Sequence, residues 1–430
     1  MATQGPRIHL APALRGMGQS ATLAINEHSQ RLAAEGREVF KLGLGQSPFP
    51  VPEPVVAELR AHAHQKDYLP VSGLRSLREA VADYHQRRDG LSCTDEDVLI
   101  GPGSKELLFL MQMAFGGDLV LPTPAWVSYA AQANMLGRAI HLLPTRAADG
   151  WHLRADELDR LCRETADRPR LLLLNDPCNP TGASHDPSEL RELAQVARAH
   201  RLLVLADEIY GDLHFAGRHQ SIARFYPEGT VVSAGLSKWC GAGGWRLGTF
   251  VFPPQLSWLR QAMAAAASET FTSVSAPVQF AAIAAFAGGE EIDRYLSHSR
   301  RLLRALARHV AQGLCSAGAT CSDAAGGFYL FPDFGPSRSE LAARGMVDAS
   351  NMCRQLLKDT GVAILPGRAF ARPEDELTCR LAFVDFDGAR ALAQLATMPE
   401  GVALEESHLR DMCPRVCQAL DRWVAWLHDR

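Results

Sequence analysis

The sequence predicts an α/β fold, a three-layer sandwich around a mostly parallel sheet, together with a smaller α+β unit. Between about residue 75 and residue 255, short apolar runs alternate with amphipathic helical stretches, which is the pattern of βα units. The apolar runs show little polar alternation, as expected of strands buried on both faces. Beyond residue 318, short strands and helices return. We therefore place a large unit over residues 51–310 and a small unit over residues 1–50 and 311–430.

Seven apolar runs supply the predicted strands of the large sheet. They cover residues 98–100, 119–121, 139–143, 171–174, 202–206, 231–233 and 248–252. Apolar side chains recur at helical spacing in residues 73–88 and 189–200, and residues 262–309 are predicted to be continuously helical. In the small unit, strands are expected in GGFYLFPDF, GVAILPG and CRLAFVDF, with a closing helix over residues 414–426. The segment through Pro50 shows no strand partner of its own, so we expect it to pack there.

Charge and hydropathy exclude several classes of partner. The chain has 44 Lys and Arg against 48 Asp and Glu, a formal net charge of −4, and no basic stripe suited to nucleic acid or an anionic membrane. No apolar run approaches the ~20 residues that span a bilayer, and the N-terminus shows no signal-peptide pattern. We expect a cytoplasmic protein without nucleic-acid or membrane partners.

Ten cysteines are scattered along the chain without a disulfide or metal-binding pattern. Cys413 and Cys417 lie one helical turn apart, but no second Cys or His pair nearby completes a zinc site. Free buried thiols are therefore favoured over a disulfide framework, and no metal site is expected.

Polar residues follow several of the predicted strands, where an open α/β sheet binds its ligands. In chain order they are Gly103, Ser104, Lys105, Trp126, Asn179, Asp207, Tyr210, Lys238 and, after a glycine-rich turn, Arg246. The turn GPGS opens a helix, whose free N–H groups and dipole form an anion site. Arg380 lies inside the apolar run CRLAF, where a buried guanidinium needs an anionic partner. We expect these groups to converge on one edge of the sheet.

Each of these residues also has a structural alternative. The alternatives are a surface lysine for Lys238, a turn cap for Asp207, turn chemistry for Asn179, a helix N-cap for Ser104, a core position for Trp126 and an internal salt bridge for Arg380. An aspartate placed like Asp207 can equally hold a proton on a heterocyclic nitrogen. If every structural alternative held, these unrelated residues would have to occur in this order along the chain by coincidence.

The full set of motifs resembles the fold-type I pyridoxal-phosphate enzymes, specifically the class I and II aminotransferases nearest the bacterial aspartate aminotransferases. In the family's order the motifs are SATLAINEHSQRLAAEG, LGLGQSPFPVP, YLPVSGLRSLREAVADY, GPGSKELLF, PTPAWVSYA, NDPCNPTGA, ADEIYGDL, GLSKWCGAGGWRLG, GGFYLF, GVAILPGRAF and CRLAF. The resemblance covers almost the whole chain. It implies a fold-type I architecture, pyridoxal 5'-phosphate as the cofactor, and a homodimer with shared active sites.

The resemblance also implies a role for each site residue. Lys238 is expected to hold the cofactor as an internal aldimine and then to move the substrate α-proton. Asp207 is expected to pair with the protonated pyridine nitrogen, and Arg380 to bind the substrate α-carboxylate. The other implied contacts are Tyr210 and Asn179 with the ring 3′ oxygen, Gly103, Ser104, Lys105 and Arg246 with the phosphate, Ser237 with the cofactor, Trp126 with the ring face and the substrate, Asn179 and Gly45 with the substrate, and Tyr68 with the phosphate of the neighbouring subunit.

Three departures from the family pattern are expected to lie near the substrate. Gly18 stands where the resembling aspartate and prephenate aminotransferases often carry a lysine, which leaves recognition of a side-chain carboxylate open. Gln46 replaces the usual acid in LGLGQSPF, and WCGAG fills the space between Lys238 and GWRLG. None of the three removes a core catalytic group.

The sequence therefore predicts a pyridoxal-phosphate-dependent aminotransferase that exchanges an amino group between an L-amino acid and a 2-oxo acid by a ping-pong mechanism. An alternative on the same scaffold is a lyase or synthase that diverts the substrate carbanion to elimination, replacement or ring formation, because the shared catalytic residues do not separate these fates. A regulator built on such a domain is disfavoured, since only about 40 residues precede LGLGQSPF and they contain no helix-turn-helix.

Overall fold

The fold is described by a computed structural model over residues 11–165, 168–399 and 401–428. The strands are β1 (Phe40–Lys41), β2 (Val98–Gly101), β3 (Asp118–Thr123), β4 (Ile140–Pro144), β5 (Arg170–Asn175), β6 (Leu203–Asp207), β7 (Thr230–Gly235), β8 (Gly248–Val251), β9 (Tyr329–Leu330), β10 (Val362–Ala363), β11 (Leu365–Pro366) and β12 (Cys379–Ala382). The helices are α1 (Ala21–Ala34), α2 (Glu53–Ala61), α3 (Arg75–Asp89), α4 (Ser104–Ala114), α5 (Val127–Met135), α6 (Ala155–Glu164), α7 (Pro187–Ala199), α8 (Ser257–Thr270), α9 (Ala276–Ala287), α10 (Glu290–Ser316), α11 (Arg338–Ala343), α12 (Ala349–Thr360), α13 (Gly388–Ala396), α14 (Glu406–Met412) and α15 (Pro414–His428).

The large sheet has the strand order β2-β8-β7-β6-β5-β3-β4. Its strands are parallel except β8, which is antiparallel to both of its neighbours. Successive leucines of β5 point to opposite faces: Leu171 and Leu173 join the core with α4, α5 and α8, whereas Leu172 and Leu174 join the core with α6 and α7. The predicted three-layer α/β sandwich and the seven predicted strands are confirmed.

The two amphipathic helices predicted at residues 73–88 and 189–200 are confirmed as α3 and α7. The prediction of one continuous helix over residues 262–309 is wrong, because α8, α9 and α10 are separate helices. The chain leaves α8 through Thr272, which has φ +62°, and leaves α9 through Gly288 and Gly289, which also have positive φ. A right-handed helix cannot continue through left-handed residues.

Two smaller sheets contain strands from the ends of the chain. β1 pairs in parallel with β10, and β12 lies between β11 and β9 in antiparallel pairing. The pairing of Phe40 with Val362 brings the N-terminal segment against the C-terminal part of the chain, as expected. The proposed division into residues 51–310 and 1–50 with 311–430 stays a prediction.

Among the described residues, no helix is apolar and long enough to cross a membrane, and no three or more His, Cys, Asp or Glu side chains lie together as potential metal ligands. All ten cysteines are free, and Cys413 and Cys417 are buried. These two thiols pack in the core that also contains Trp423 of α15.

Candidate active site

A cavity of about 580 Å³ opens beyond the carboxyl ends of the central strands. Most of the residues singled out from the sequence line it, namely Gly45, Ser104, Lys105, Trp126, Asn179, Asp207, Tyr210, Ser237, Lys238, Arg246 and Arg380. They come from segments that are far apart in the chain, most of them at or just after the ends of neighbouring strands, with Gly45 and Arg380 supplied by the two end regions of the chain. The expected convergence on one edge of the sheet is what the structure shows.

Lys238 follows β7 and extends its amino group into this cavity. Its Nζ donates a hydrogen bond to the Gly45 carbonyl oxygen at 2.7 Å. Burial, followed by the charge of the nearby Arg380, lowers the pKa of Lys238 to about 8. A lysine in this state is a neutral amine in a substantial fraction of molecules near neutral pH, so it can act as a base or a nucleophile.

Asp207 ends β6 and is 2% exposed. Its Oδ2 accepts a hydrogen bond of 2.6 Å from the Tyr129 hydroxyl, and its Oδ1 lies 3.5 Å from the Ser233 hydroxyl. Burial raises the pKa of Asp207 to about 6, although the Tyr129 bond opposes the shift. None of the described residues forms a salt bridge with this carboxylate, although its charge partly offsets the lowering of the Lys238 pKa.

The start of α4 provides a cradle for an anion. Gly103 precedes the helix at φ +89°, and a Cβ there would overlap the guanidinium of Arg246. Gly248 on β8 allows the same close approach, because a Cβ at this position would overlap the backbone of Gly103 and Ser104. The Arg246 guanidinium is held by the carbonyl oxygens of Gly243 at 2.9 Å and Pro102 at 3.1 Å. Free N–H groups of a helix start beside an arginine bind phosphate well.

Arg380 lies on β12 and is 1% exposed. Its Nη1 donates to Asn179 Oδ1 at 3.1 Å, its Nη2 donates to the Gly43 carbonyl oxygen, and its buried Nε has no hydrogen-bond partner within the described residues. The guanidinium also stacks 4.7 Å from the Tyr329 ring centroid. No described carboxylate forms a salt bridge with Arg380, so the alternative of an internal ion pair does not hold.

Trp126 and Lys105 form one wall of the cavity. The Trp126 ring meets Tyr129 edge to face at 5.2 Å, and the Lys105 Nζ lies 5.0 Å from the Trp126 ring centroid. Burial, then repulsion from Arg246, lowers the pKa of Lys105. Trp126 is thus a partly buried wall residue, not a member of the closed core.

Asn179 and Tyr210 are fixed by residues that the sequence analysis did not single out. The Asn175 side chain accepts from the Asn179 backbone N–H at 2.7 Å and donates to the Asp207 carbonyl oxygen at 2.8 Å. The Tyr210 and Tyr329 hydroxyls share a hydrogen bond of 2.8 Å, and burial raises the pKa of Tyr210 well above its ordinary value. A Cβ on Gly45 would overlap the Tyr329 ring, so glycine is required at that position.

Four residues, Tyr129, Asn175, Ser233 and Tyr329, belong to the site but were missed by sequence reasoning. Tyr129 and Tyr329 lie within the quoted motifs PTPAWVSYA and GGFYLF. The helical spacing of Tyr129 from Trp126 was the available signal for the first of them. The polar role of their hydroxyl groups could not be predicted, because both tyrosines have apolar sequence neighbours, as core residues do.

Some sequence predictions place residues near the substrate that the structure puts elsewhere. Gly18 is exposed and does not line the cavity, whereas Thr22 and Leu23 do. Trp239 and Cys240 of the WCGAG segment are buried in the core. Only the later part of that segment and Gln46 reach the cavity wall. Tyr68 does not line this cavity, and it is 88% exposed.

Comparison with known proteins gives a single family. The family model described as "Aminotransferase class I and II" matches residues 37–385. The aspartate aminotransferase of Geobacillus stearothermophilus is 31% identical over 377 residues, which cover 85% of this chain and 93% of that protein. The aspartate/prephenate aminotransferase of Thermus thermophilus is 31% identical over 367 residues, with coverages of 84% and 91%.

The fold is shared with a solved aminotransferase structure. The aspartate aminotransferase from Thermus thermophilus with maleate superimposes with a TM-score of 0.82 at 28% identity. The match covers 97% of this chain and 100% of the other. Sequence and structure comparisons therefore agree over nearly the whole chain.

Proposed function

The chain belongs to the class I and II aminotransferases, and from this premise we propose how its own residues bind the substrate and move protons. The enzyme depends on pyridoxal phosphate and transfers an amino group between an L-amino acid and a 2-oxo acid. One observation carries the residue assignments: Lys238, Asp207 and Arg380 converge in one cavity, and none forms a salt bridge with another described residue.

The cavity fits pyridoxal phosphate in charge and shape. Asp207 is a buried carboxylate that lacks a cation, which suits the protonated ring nitrogen of the cofactor. The start of α4 at Ser104, with Arg246, would hold the phosphate, and the Lys238 amine would bond the cofactor carbon. Trp126 would cover one ring face, with Ser237, Asn179 and Tyr210 at the ring edge. When bound, the cofactor supplies an electron sink for the electrons released as the substrate α-proton leaves.

Lys238 is the proposed acid and base at the substrate α-carbon. Its pKa of about 8 lies near the working pH, where an amine can both accept and return a proton. The hydrogen bond to the Gly45 carbonyl oxygen supports a position for the amine when it is not bonded to the cofactor. The Gly45 loop would thereby keep the amine close to the substrate.

Arg380 is the proposed binding group for the substrate α-carboxylate. Its planar guanidinium is held by Asn179 and Gly43 and stacked on Tyr329, so its direction is set before the substrate arrives. Because no described carboxylate pairs with Arg380, its positive charge is available to a substrate carboxylate that enters the cavity. A preorganised cation of this kind binds without rearrangement of its own side chain.

The similar proteins, rather than the charges of the cavity wall, favour a substrate with a second carboxylate. The described cationic groups of the wall are Lys105, Lys238, Arg246 and Arg380, whereas Asp207 is its carboxylate. A cofactor phosphate of about −2 and one substrate carboxylate already offset this net charge. Relatives named as aspartate aminotransferases, and a Thermus structure with the dicarboxylate maleate, agree with this choice. We therefore propose an acidic L-amino acid as the donor, even though a lysine is absent at Gly18.

A homodimer follows from the position proposed for Tyr68. Its side chain is 88% exposed and does not reach the cavity of its own chain, so contact with the cofactor phosphate requires a second copy. Sedimentation equilibrium should give twice the chain mass, and Tyr68→Phe should weaken cofactor binding without dissociating the dimer. A monomer that binds the cofactor at full affinity would contradict this assignment. The cytoplasmic location expected from the sequence stays a prediction.

One panel of donors tests the proposed reaction and substrate class. The enzyme is incubated with aspartate, glutamate, asparagine or alanine, with 2-oxoglutarate as acceptor (pyruvate when glutamate is the donor), and the products are quantified. The proposal expects amino transfer with the highest kcat/KM for an acidic donor. A best rate with alanine or asparagine would reject the dicarboxylate assignment. Release of ammonia and a 2-oxo acid without an amino acceptor, or a cyclised product, would instead indicate the lyase or synthase alternative.

A further inference from the structure

A chain of buried charges lies behind the cavity, on the far side of the loops that follow β5 and β6. Its members are Arg88 of α3, Glu208, His219, Asp176 and His185, and we call them the charge chain. The His219 Nε2 lies 3.2 Å from Glu208 Oε2, and its Nδ1 lies 3.6 Å from Asp176 Oδ1. The side chains of His219, Glu208 and Asp176 are 1%, 2% and 6% exposed. These are ion-pair distances and not hydrogen bonds of good geometry.

The geometry indicates that His219 is an imidazolium. Both of its ring nitrogens face carboxylate oxygens, which accept protons but do not donate them when ionised. A neutral ring would place a nitrogen lone pair against one of the two carboxylates. Burial lowers the pKa of His219, but Glu208 and then Asp176 outweigh it, so the pKa is raised above its ordinary value.

The neighbouring groups leave His219 as the cation between the two acids. His185 is not that cation, because its Nε2 accepts the Leu153 backbone N–H at 3.1 Å while its Nδ1 donates to Asp176 at 2.8 Å, which is the neutral tautomer. The Arg88 guanidinium forms an ion pair with Glu208 and a second ion pair, at 2.8 Å, with Asp89. His214 lies 6.4 Å away, and burial followed by repulsion from His219 lowers its pKa to about 4. The remaining charged groups of the region, Asp212 with Tyr84 and Arg300, belong to the Arg88 end.

The positions of the two carboxylates suggest what the imidazolium does. Asp176 lies between Asn175 and Asn179 in the loop after β5, and Glu208 directly follows Asp207. We propose that His219 is a positioning residue whose charge ties these two loops together, so that Asn179 and Asp207 stay aimed at the bound cofactor. The proposal rests on the cofactor contacts assigned above to these two residues. His219 itself does not line the cavity.

A charge-balance experiment separates this role from simple packing. Cofactor dissociation constants are measured by equilibrium dialysis for wild type, Asp176→Asn, His219→Gln and the double variant, with circular dichroism to confirm folding. His219→Gln leaves Asp176 and Glu208 without the cation between them, so we expect affinity to fall at least tenfold. Neutralising Asp176 as well removes much of its repulsion with Glu208. The cofactor dissociation constant of the double variant should therefore return to within threefold of the wild-type value. His200→Gln is the control, because it removes another histidine–aspartate pair, between His200 and Asp159 at 2.7 Å. Its cofactor dissociation constant should stay within twofold of the wild-type value.

Two outcomes overturn the proposal. One is a folded His219→Gln protein whose cofactor affinity lies within twofold of wild type. The other is a double variant that binds no better than His219→Gln, as a pure packing role requires. If His219→Gln does not fold, the double variant decides, because the proposal requires it to fold and bind. A failure of the proposed function is distinct from both outcomes, since wild type would then not bind pyridoxal phosphate at all.

Discussion

Two buried aspartates on neighbouring strands differ in how the protein treats their charge. Asp207 ends β6 and faces the cavity, and burial raises its pKa to about 6. Asp176 directly follows β5 and belongs to the charge chain, where the hydrogen bonds from His185 and Ser184 and the charge of the nearby His219 outweigh burial and lower its pKa to about 2. In the charge chain, buried charged side chains form ion pairs with one another. In the cavity, the buried charged side chains form no ion pairs with described residues. This contrast supports the ligand-binding roles proposed for Asp207 and Arg380.

The largest expected effect comes from removing the cavity's amine. Lys238→Ala should lower kcat for amino transfer by about 10⁴-fold, because both the proton-transfer group and the covalent anchor of the cofactor are lost. The measurement is a single-turnover half-reaction followed by cofactor absorbance. Lys358→Ala changes an exposed lysine of α12 outside the cavity, serves as the control and should keep most of the activity. If Lys238→Ala stays within tenfold of wild type, another base does the work.

Removing the arginine of the charge chain should lower the free energy of unfolding. Arg88→Met leaves Glu208 and Asp89 as buried carboxylates without their common cation. The free energy of unfolding of the cofactor-free protein should fall by about 3–5 kcal/mol, as measured by urea denaturation. A loss below about 1 kcal/mol would show that the charges of this region are not held as pairs.

The corresponding substitution of the cavity arginine should leave the free energy of unfolding nearly unchanged and weaken substrate binding. Arg380→Met removes a buried guanidinium that no described carboxylate neutralises, so the unfolding free energy of the cofactor-free protein should change by less than about 1 kcal/mol. The value of kcat/KM should fall about a hundredfold, since the substrate α-carboxylate loses its charged partner. Steady-state kinetics and urea denaturation of one preparation supply both numbers. A large loss of stability with normal KM would reverse the assignment of Arg380.

The smallest expected effect is a pH dependence of stability that belongs to Asp207. Its pKa is raised in the folded protein, so the stabilisation exists below about pH 4 and is lost as the pH rises through 6. The stability of cofactor-free wild type relative to Asp207→Asn should therefore decrease by about 2–3 kcal/mol between pH 4 and pH 7. Subtracting the variant removes the opposite contribution of Asp176. A flat difference would mean that the Asp207 charge is already neutralised inside the chain.

The sequence allowed prediction of the large sheet and of most charged site residues for the same reason. Strands buried on both faces are plain apolar runs, and residues such as Asp207 and Lys238 follow those runs directly. The partners of these residues were harder to find. Tyr129 and Tyr329 are aromatic residues in apolar surroundings, and only the folded arrangement turns their hydroxyls towards Asp207 and Tyr210.

Long-range contacts were also beyond prediction, whereas the helix breaks left a signal that the prediction of one continuous helix did not use. The break after α8 falls in TFTSVSAP, residues 270–277, whose Thr, Ser and Pro residues disfavour a helix. β1 has only two residues, so its pairing with β10 leaves no periodic signal in the sequence. The charge chain illustrates the same limit, because Arg88, His219 and Asp176 meet only through the fold.

The pairing of β1 with β10 bears on the order of events during synthesis. The Gly45 loop follows β1, whose partner strand begins at Val362, and Arg380 lies further on still. A ribosome must therefore make nearly the whole chain before the wall of the cavity that receives the substrate carboxylate can close. The large sheet, by contrast, needs nothing beyond Val251 to pair its strands and can form earlier. The complete pocket can thus form only after β12 has been made, and a protein shortened before β12 would fold around a cavity with one side missing.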